Sequence, residues 1–341
     1  LLLALVPLAQ DAAPSAPPPA AARSWVLWYD EPAAAWTEAL PVGNGRLGAM
    51  VSGDPRRERL QLNEDSVWAG AAIPRDREGA AEHLVEARRR IFDGQVVEAQ
   101  QLLQERFMSE RLVRSHQTLG DLWIEMEAEG EVTDHRRELD LDGAIATTTW
   151  TVDGATFTRE VYASHADQVL VVRTTCDQPG RVTATVSLTR PADAEIETVG
   201  EHGLRLAGQA TQGGQHPGVR FEAVLLARAE GGTTAPVEDA LRVEDGDALT
   251  LLVAGRTDFR GGDPALEARQ DVDEAARKPP AALRAAHVRA HQQLFRRVDL
   301  DLGHVEGEDR PTDERLAAVR EGADDPALLA LYFQYGRYLL I

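Results

Sequence analysis

Apolar and polar residues alternate with a period of two through most of the first 260 positions. Leu60 and Leu62 stand between Arg59, Gln61 and Asn63, and Leu122, Ile124 and Met126 between Trp123 and Glu125. A period of two predicts strands with one face in a core. Thr147–Thr151 and Thr156–Ser164 flank Asp153-Gly154, which predicts a hairpin with a type I′ turn. Val169–Thr174, Val182–Leu188, Leu204–Gly208, Arg220–Ala227 and Ala248–Ala254 continue the series. Many short strands at near-regular spacing predict a large antiparallel β-sandwich from about Trp25 to Phe259.

The period changes twice. Between Glu78 and Phe107, the spacing of Leu84, Ile91, Phe92, Val96, Val97, Leu102 and Leu103, broken by Gly94, predicts two short amphipathic helices across one end of the sandwich. After Phe259, Pro279-Pro280 opens a helix running to about Arg297. Thr312-Asp313 opens a second, with either residue as N-cap, and Asp325-Pro326 a third. The third carries Leu328, Leu329, Leu331, Tyr332, Phe333, Tyr335, Leu339 and Leu340, apolar nearly all round. Such a helix belongs inside a larger helical assembly.

Gly43-Asn44-Gly45-Arg46-Leu47-Gly48 has the glycine spacing of a dinucleotide-binding loop. That loop must open a helix, and here Gly53 and Pro55 stop any helix within two turns. The expected structure is instead strand, turn at Ser52-Gly53-Asp54-Pro55, strand.

The 341-residue chain carries 36 Lys and Arg against 56 Asp and Glu, a net charge of −20, which argues against a nucleic-acid backbone or an anionic membrane as partner. Its single cysteine, Cys176, excludes an internal disulfide and sits in an apolar strand pattern. The first nine residues, Leu1 to Ala9, have the pattern of a signal-peptide h-region, followed by a Pro/Ala-rich linker, so export to the periplasm or beyond is expected.

Among candidate chemistry, Asn63-Glu64-Asp65-Ser66-Val67-Trp68 places an amide, two carboxylates and an indole together, a set suited to sugar hydroxyls and a sugar ring face or, equally, to a turn ending a strand. Neighbouring Glu64 and Asp65 point to opposite faces and do not flank one scissile bond. Asp140 and Asp142 fit a solvated strand edge. His287 and His291 have i, i+4 spacing without a third ligand or a catalytic Glu between them, which fits packed or surface histidines. No metal or cofactor is expected.

Leu40–Met50 and Arg59–Trp68, with Gln117–Leu122, Tyr162–His165, Thr257–Arg260 and Leu331–Leu340, resemble the N-terminal part of family 95 glycoside hydrolases, in consistent order from about Trp28 to Ile341. The resemblance implies an inverting exo-α-L-fucosidase, with α-L-galactosidases as a family variant. It also implies an N-terminal sandwich, linker helices, an (α/α)6 barrel and a C-terminal β domain. The catalytic Glu, and the Asn residues and Asp that hold the attacking water, would lie in a barrel of which only the first helix falls within this sequence. The chain alone is therefore expected to be inactive.

The expected divisions are 1–23 signal remnant and linker, 24–270 sandwich, 271–324 linker helices and 325–341 the start of a truncated barrel. The expected partners are a fucosylated oligosaccharide or polysaccharide and, within the protein, the barrel. Asn63, Glu64, Asp65 and Trp68, with Gln117 behind them, are the candidate substrate-binding residues. A free-standing carbohydrate-binding sandwich and an inverting glycoside phosphorylase are the alternatives.

Overall fold

The computed structural model describes residues 25–71, 76–108 and 114–341. The signal-peptide remnant expected at 1–23 lies outside them. Four strands open the chain: β1 (Val26–Tyr29), β2 (Leu40–Gly43), β3 (Leu47–Val51) and β4 (Arg57–Glu64). The helices α1 (Leu84–Phe92) and α2 (Val96–Arg106) follow. Next come β5 (Gly120–Met126), β6 (Val132–Asp140), β7 (Ile145–Val152), β8 (Ala155–Ser164), β9 (Val169–Cys176) and β10 (Val182–Thr189). The strand series closes with β11 (Ala194–Val199), β12 (Gly203–Gln209), β13 (Arg220–Glu230), β14 (Thr233–Val237), β15 (Ala240–Gly246) and β16 (Ala248–Thr257). Four helices end the chain: α3 (Pro264–Ala276), α4 (Pro280–Phe295), α5 (Thr312–Arg320) and α6 (Pro326–Tyr338).

Among the described residues the strands form two antiparallel sheets, one of nine strands in the order β1-β6-β7-β8-β9-β16-β13-β12-β11, the other of seven in the order β14-β15-β10-β5-β4-β3-β2. The sandwich predicted from the alternation is there. Its core is filled by the inward positions of both sheets, among them Leu60, Leu62, Leu122, Ile124, Leu206 and Leu225, with Trp150 and Phe157 stacked at 5.3 Å. One charged pair is carried inside: Arg159 and Glu58 meet at 2.9 Å with neither side chain exposed. Glu58 also accepts from the Ser52 amide and hydroxyl and from the Gly53 amide. These bonds offset the large cost of desolvating a carboxylate.

β9 and β16 are buried almost continuously rather than alternately, because helices cover the outer face of the nine-stranded sheet. Ala268, Val272 and Ala275 of α3 and Leu283 of α4 pack on Val171, Val224 and Leu252 in a second core. α3 has no counterpart in the sequence reading, and it spans the boundary expected at 270.

The glycine-rich motif forms a hairpin turn. Gly43 pairs with Gly48 across β2 and β3. Asn44 Oδ1 accepts from the Arg46 and Leu47 amides at 3.1 and 2.8 Å. Gly45 has φ +87°, and a Cβ on Gly48 would lie 2.8 Å from the Val42 carbonyl oxygen. No helix begins there, so the phosphate-binding geometry is absent. The expected type I′ hairpin is also present, with Asp153 and Gly154 both at positive φ.

Three local expectations are corrected. Thr312 is the first residue of α5 rather than its side-chain cap; its hydroxyl accepts the Trp28 amide of β1 at 3.0 Å. Asp142 is no free edge carboxylate: Gln292 of α4 and Arg296 just past its end both bind it, which ties that helix to the sandwich. The apolar side chains of α1 and α2 are not covered by the sandwich; Phe92 is 86% exposed, and Ala87 and Ala99 are the buried residues of the two helices.

His287 and His291 are packed, as expected. They donate to the carbonyls of Ala144 and Leu141 at 3.0 and 2.8 Å, and His287 stacks on Tyr162. Asp325 caps α6 by accepting the Leu328 amide at 2.8 Å. α6 buries Ala327, Leu328, Ala330, Leu331, Gln334 and Tyr338, while Leu329, Tyr332, Phe333, Leu339 and Leu340 stay exposed.

Candidate functional site

The hairpin tip, the end of β4 and the end of β16 meet at one edge of the sandwich, and Arg46 joins them. Its guanidinium donates to the Gly255 carbonyl of β16, to Gln168 Oε1 at 3.0 Å and to Glu64 Oε1 at 3.5 Å, while its own carbonyl accepts the Asp65 amide at 2.9 Å. The two N-terminal motifs thus build one structure.

Within it the five candidate residues divide. Glu64 continues the inward series of β4 and is 1% exposed. Its Oε2 accepts the Ser66 amide and hydroxyl at 2.8 and 2.7 Å, and the Ser66 hydroxyl meets the Thr257 hydroxyl at 2.6 Å. Gln117 is a brace as well, donating to the Thr211 carbonyl at 2.5 Å and accepting from Arg190 at 2.7 Å. Asn63, Asp65 and Trp68 face solvent. The Trp68 indole stands edge-on to His116 with ring centroids 5.3 Å apart, and the backbones of the two residues bridge.

Two residues not singled out from the sequence complete the rim. Arg260 grips Asp65 with two hydrogen bonds of 2.7 and 3.2 Å. Phe259 beside it is 63% exposed. Both sit in the Thr257–Arg260 stretch noted for its family resemblance. The signal available was residue type, an Arg and an aromatic just past a strand end, but nothing in the sequence placed them next to Asp65.

The chemistry of this rim is that of holding. Arg260 keeps the Asp65 carboxyl below the ordinary carboxylate range, so at neutral pH it accepts hydrogen bonds and does not deliver a proton. Trp68 and Phe259 offer apolar ring faces and Asn63 an amide, the groups a sugar ring and its hydroxyls use. Among the described residues there is no group of three or more His, Cys, Asp or Glu side chains placed to hold a metal ion. No helix among them is long and apolar enough to cross a membrane.

Residues 27–262, the sandwich, match the family model described as glycosyl hydrolase family 65, N-terminal domain. Residues 279–341, covering α4 to α6, match that of the glycosyl hydrolase family 95 catalytic domain. The sandwich belongs to the family 65 N-terminal domain family, and it is joined here to a helical segment that matches the family 95 catalytic domain. The chain is 31% identical to "Alpha-L-fucosidase 2" of Arabidopsis thaliana over 356 residues, covering 94% of this chain and 42% of that protein. It is 30% identical to "Probable alpha-fucosidase A" of Aspergillus niger, covering 95% and 43%. It is 27% identical to the protein of that name from Aspergillus oryzae, covering 92% and 47%. The chain therefore spans less than half the length of these relatives.

Proposed function

We propose that this chain is the non-catalytic N-terminal portion of an exported exo-glycosidase that releases terminal α-L-fucosyl residues from glycans with inversion. In this reading the acid and the water-positioning groups belong to a helical domain that begins near Pro326, and the rim of Asn63, Asp65, Trp68, Phe259 and Arg260 faces the glycan at its mouth. The observation that carries the reading is the alignment of three proteins named as fucosidases with more than nine-tenths of this chain, each more than twice as long as the part aligned. The exposed side of α6, with Leu329 and Tyr332, supports it, since a helix apolar on both sides fits between neighbours.

The deciding assay is fucose release from an α-1,2-fucosylated oligosaccharide, with this chain run beside one extended through the downstream reading frame. Activity only in the longer protein is the expected result. Turnover by the short chain would place the catalytic groups within it and refute the proposal. Inactivity of both, with sugar bound, would favour a carbohydrate-binding sandwich instead. In the longer protein Trp68→Ala is expected to lower kcat/KM about tenfold, the loss of one stacked ring.

A further inference from the structure

The seven-stranded sheet carries a second feature on its outer face. A cleft of about 240 Å³ lies between the Trp36 turn and the outward residues of β3, β4 and β5. Trp36 forms one wall and is 57% exposed. Its short 3-10 turn is held by Glu38, whose carboxylate accepts the Ala34 amide at 2.9 Å. Trp123 forms the other wall, fixed by a 3.0 Å bond from its indole N–H to Thr189 and by the Arg57 guanidinium 4.5 Å from its centroid. The two aromatic walls are thus pre-positioned, which lowers the ordering cost of binding.

One polar group in this cleft has unused capacity. Gln61 projects from β4 into it, and its side-chain amide makes no hydrogen bond among the described residues. A ligand hydroxyl can both donate to that amide and accept from it. Charge narrows the ligand class. Arg57 is paired with Glu125 and Arg59 with Asp121, each at 2.9 Å, so the arginines bring no surplus positive charge to attract an anion. Aromatic walls and a free amide, beside arginines already paired, suit an uncharged ring that is apolar on its faces and hydroxylated at its edge.

We propose that this cleft is a glycan-holding subsite, separate from the rim, that takes a neutral pyranose unit of an oligosaccharide. The site needs no catalytic group, and the proposal does not depend on which linkage the longer protein cuts. The cleft is smaller than the ~300–1,000 Å³ of pockets that enclose a whole drug-sized ligand, so it would hold about one ring of a chain that continues into solvent.

The test is titration of this 341-residue chain with cellohexaose, read by tryptophan fluorescence and by calorimetry, beside an oligogalacturonate of equal length. Saturable binding of the neutral hexaose is expected, weakened about tenfold by Trp36→Ala, the loss of one aromatic face. Gln61→Ala, on an exposed sheet face, is expected to weaken it by roughly three- to tenfold through the lost hydrogen bonds. No binding of the hexaose would overturn the proposal. So would preference for the oligogalacturonate with steep salt dependence, which would mark an anion site. Binding that survives Trp36→Ala and Gln61→Ala but disappears with Trp68→Ala would locate the sugar at the rim and overturn it as well.

Discussion

The α1–α2 insertion and the α3–α4 pair are both short amphipathic helices attached to the same sandwich, and they end in opposite situations. α3 and α4 merge with the nine-stranded sheet: Val272 and Leu283 are about as buried as any strand residue, and two histidines of α4 reach strand-connecting carbonyls. α1 and α2 pack on each other, and Val85, Phe92 and Val97 remain 76%, 86% and 65% exposed. The difference lies in the surface each pair meets. The outer faces of β9 and β16 carry Val169, Val171, Leu252 and Ala254 in a continuous apolar strip, which needs a cover. Amphipathicity in a sequence shows that a helix has an apolar side, not what that side will touch.

The largest separation between the two regions should come from Leu283→Ala, which opens a hole in the second core and is expected to cost ~2–5 kcal/mol in urea unfolding. A loss below about 1 kcal/mol would mean that α4 is dispensable to the sandwich. Thr312→Ala should follow, at ~1–2 kcal/mol, because it leaves the half-buried Trp28 amide without its acceptor. A change within measurement error would indicate that water replaces the hydroxyl.

The acid side of the stability profile sharpens the contrast further. Burial pushes both His287 and His291 below their ordinary value of 6.5. The unfolded chain therefore binds protons that the native chain resists, so the stability these two groups contribute is intact above that value. It is lost as pH falls below it toward the native pKa values. Unfolding midpoints should decline from about pH 7 to about pH 5, with a shallower slope in His287→Gln, whose amide is neutral throughout. An unchanged slope would remove His287 from the account. The smallest effect is expected at the insertion, where Phe92→Ser should alter stability by no more than ~0.5 kcal/mol. A loss of several kcal/mol would show that Phe92 is covered in solution.

These contrasts also show what the amino-acid order reveals. Strands such as β4 and β5 are legible because they repeat the two-residue period of a half-buried surface, as in Leu60 and Leu62, and β9 and β16 are legible as continuous apolar runs. β14 is not, because its pattern is mostly exposed and Pro236 lies within it, as an edge strand permits and a central one does not. α3 hides behind a helical pattern built from small residues, Ala268 and Ala275, which pack closely but carry little hydrophobic signal. The candidate site is half legible. A polar cluster beside an indole marks Asn63, Asp65 and Trp68. Arg260 is 195 residues from Asp65, and only the fold brings the two together. The inward turn of Glu64 follows from strand parity with Leu60 and Leu62, although its side-chain partners do not.

The hydroxyl of Thr312 on the Trp28 amide joins residues 284 positions apart. On a ribosome adding ~5–20 residues per second, roughly 15–60 s separate the synthesis of the two. For that interval β1 lacks its final partner, and the Tyr338 hydroxyl that reaches the Pro41 carbonyl of β2 arrives later still. β1 and β2 leave the ribosome long before they are completed, so an edge of each sheet stays unfinished while the rest of the sandwich is being made.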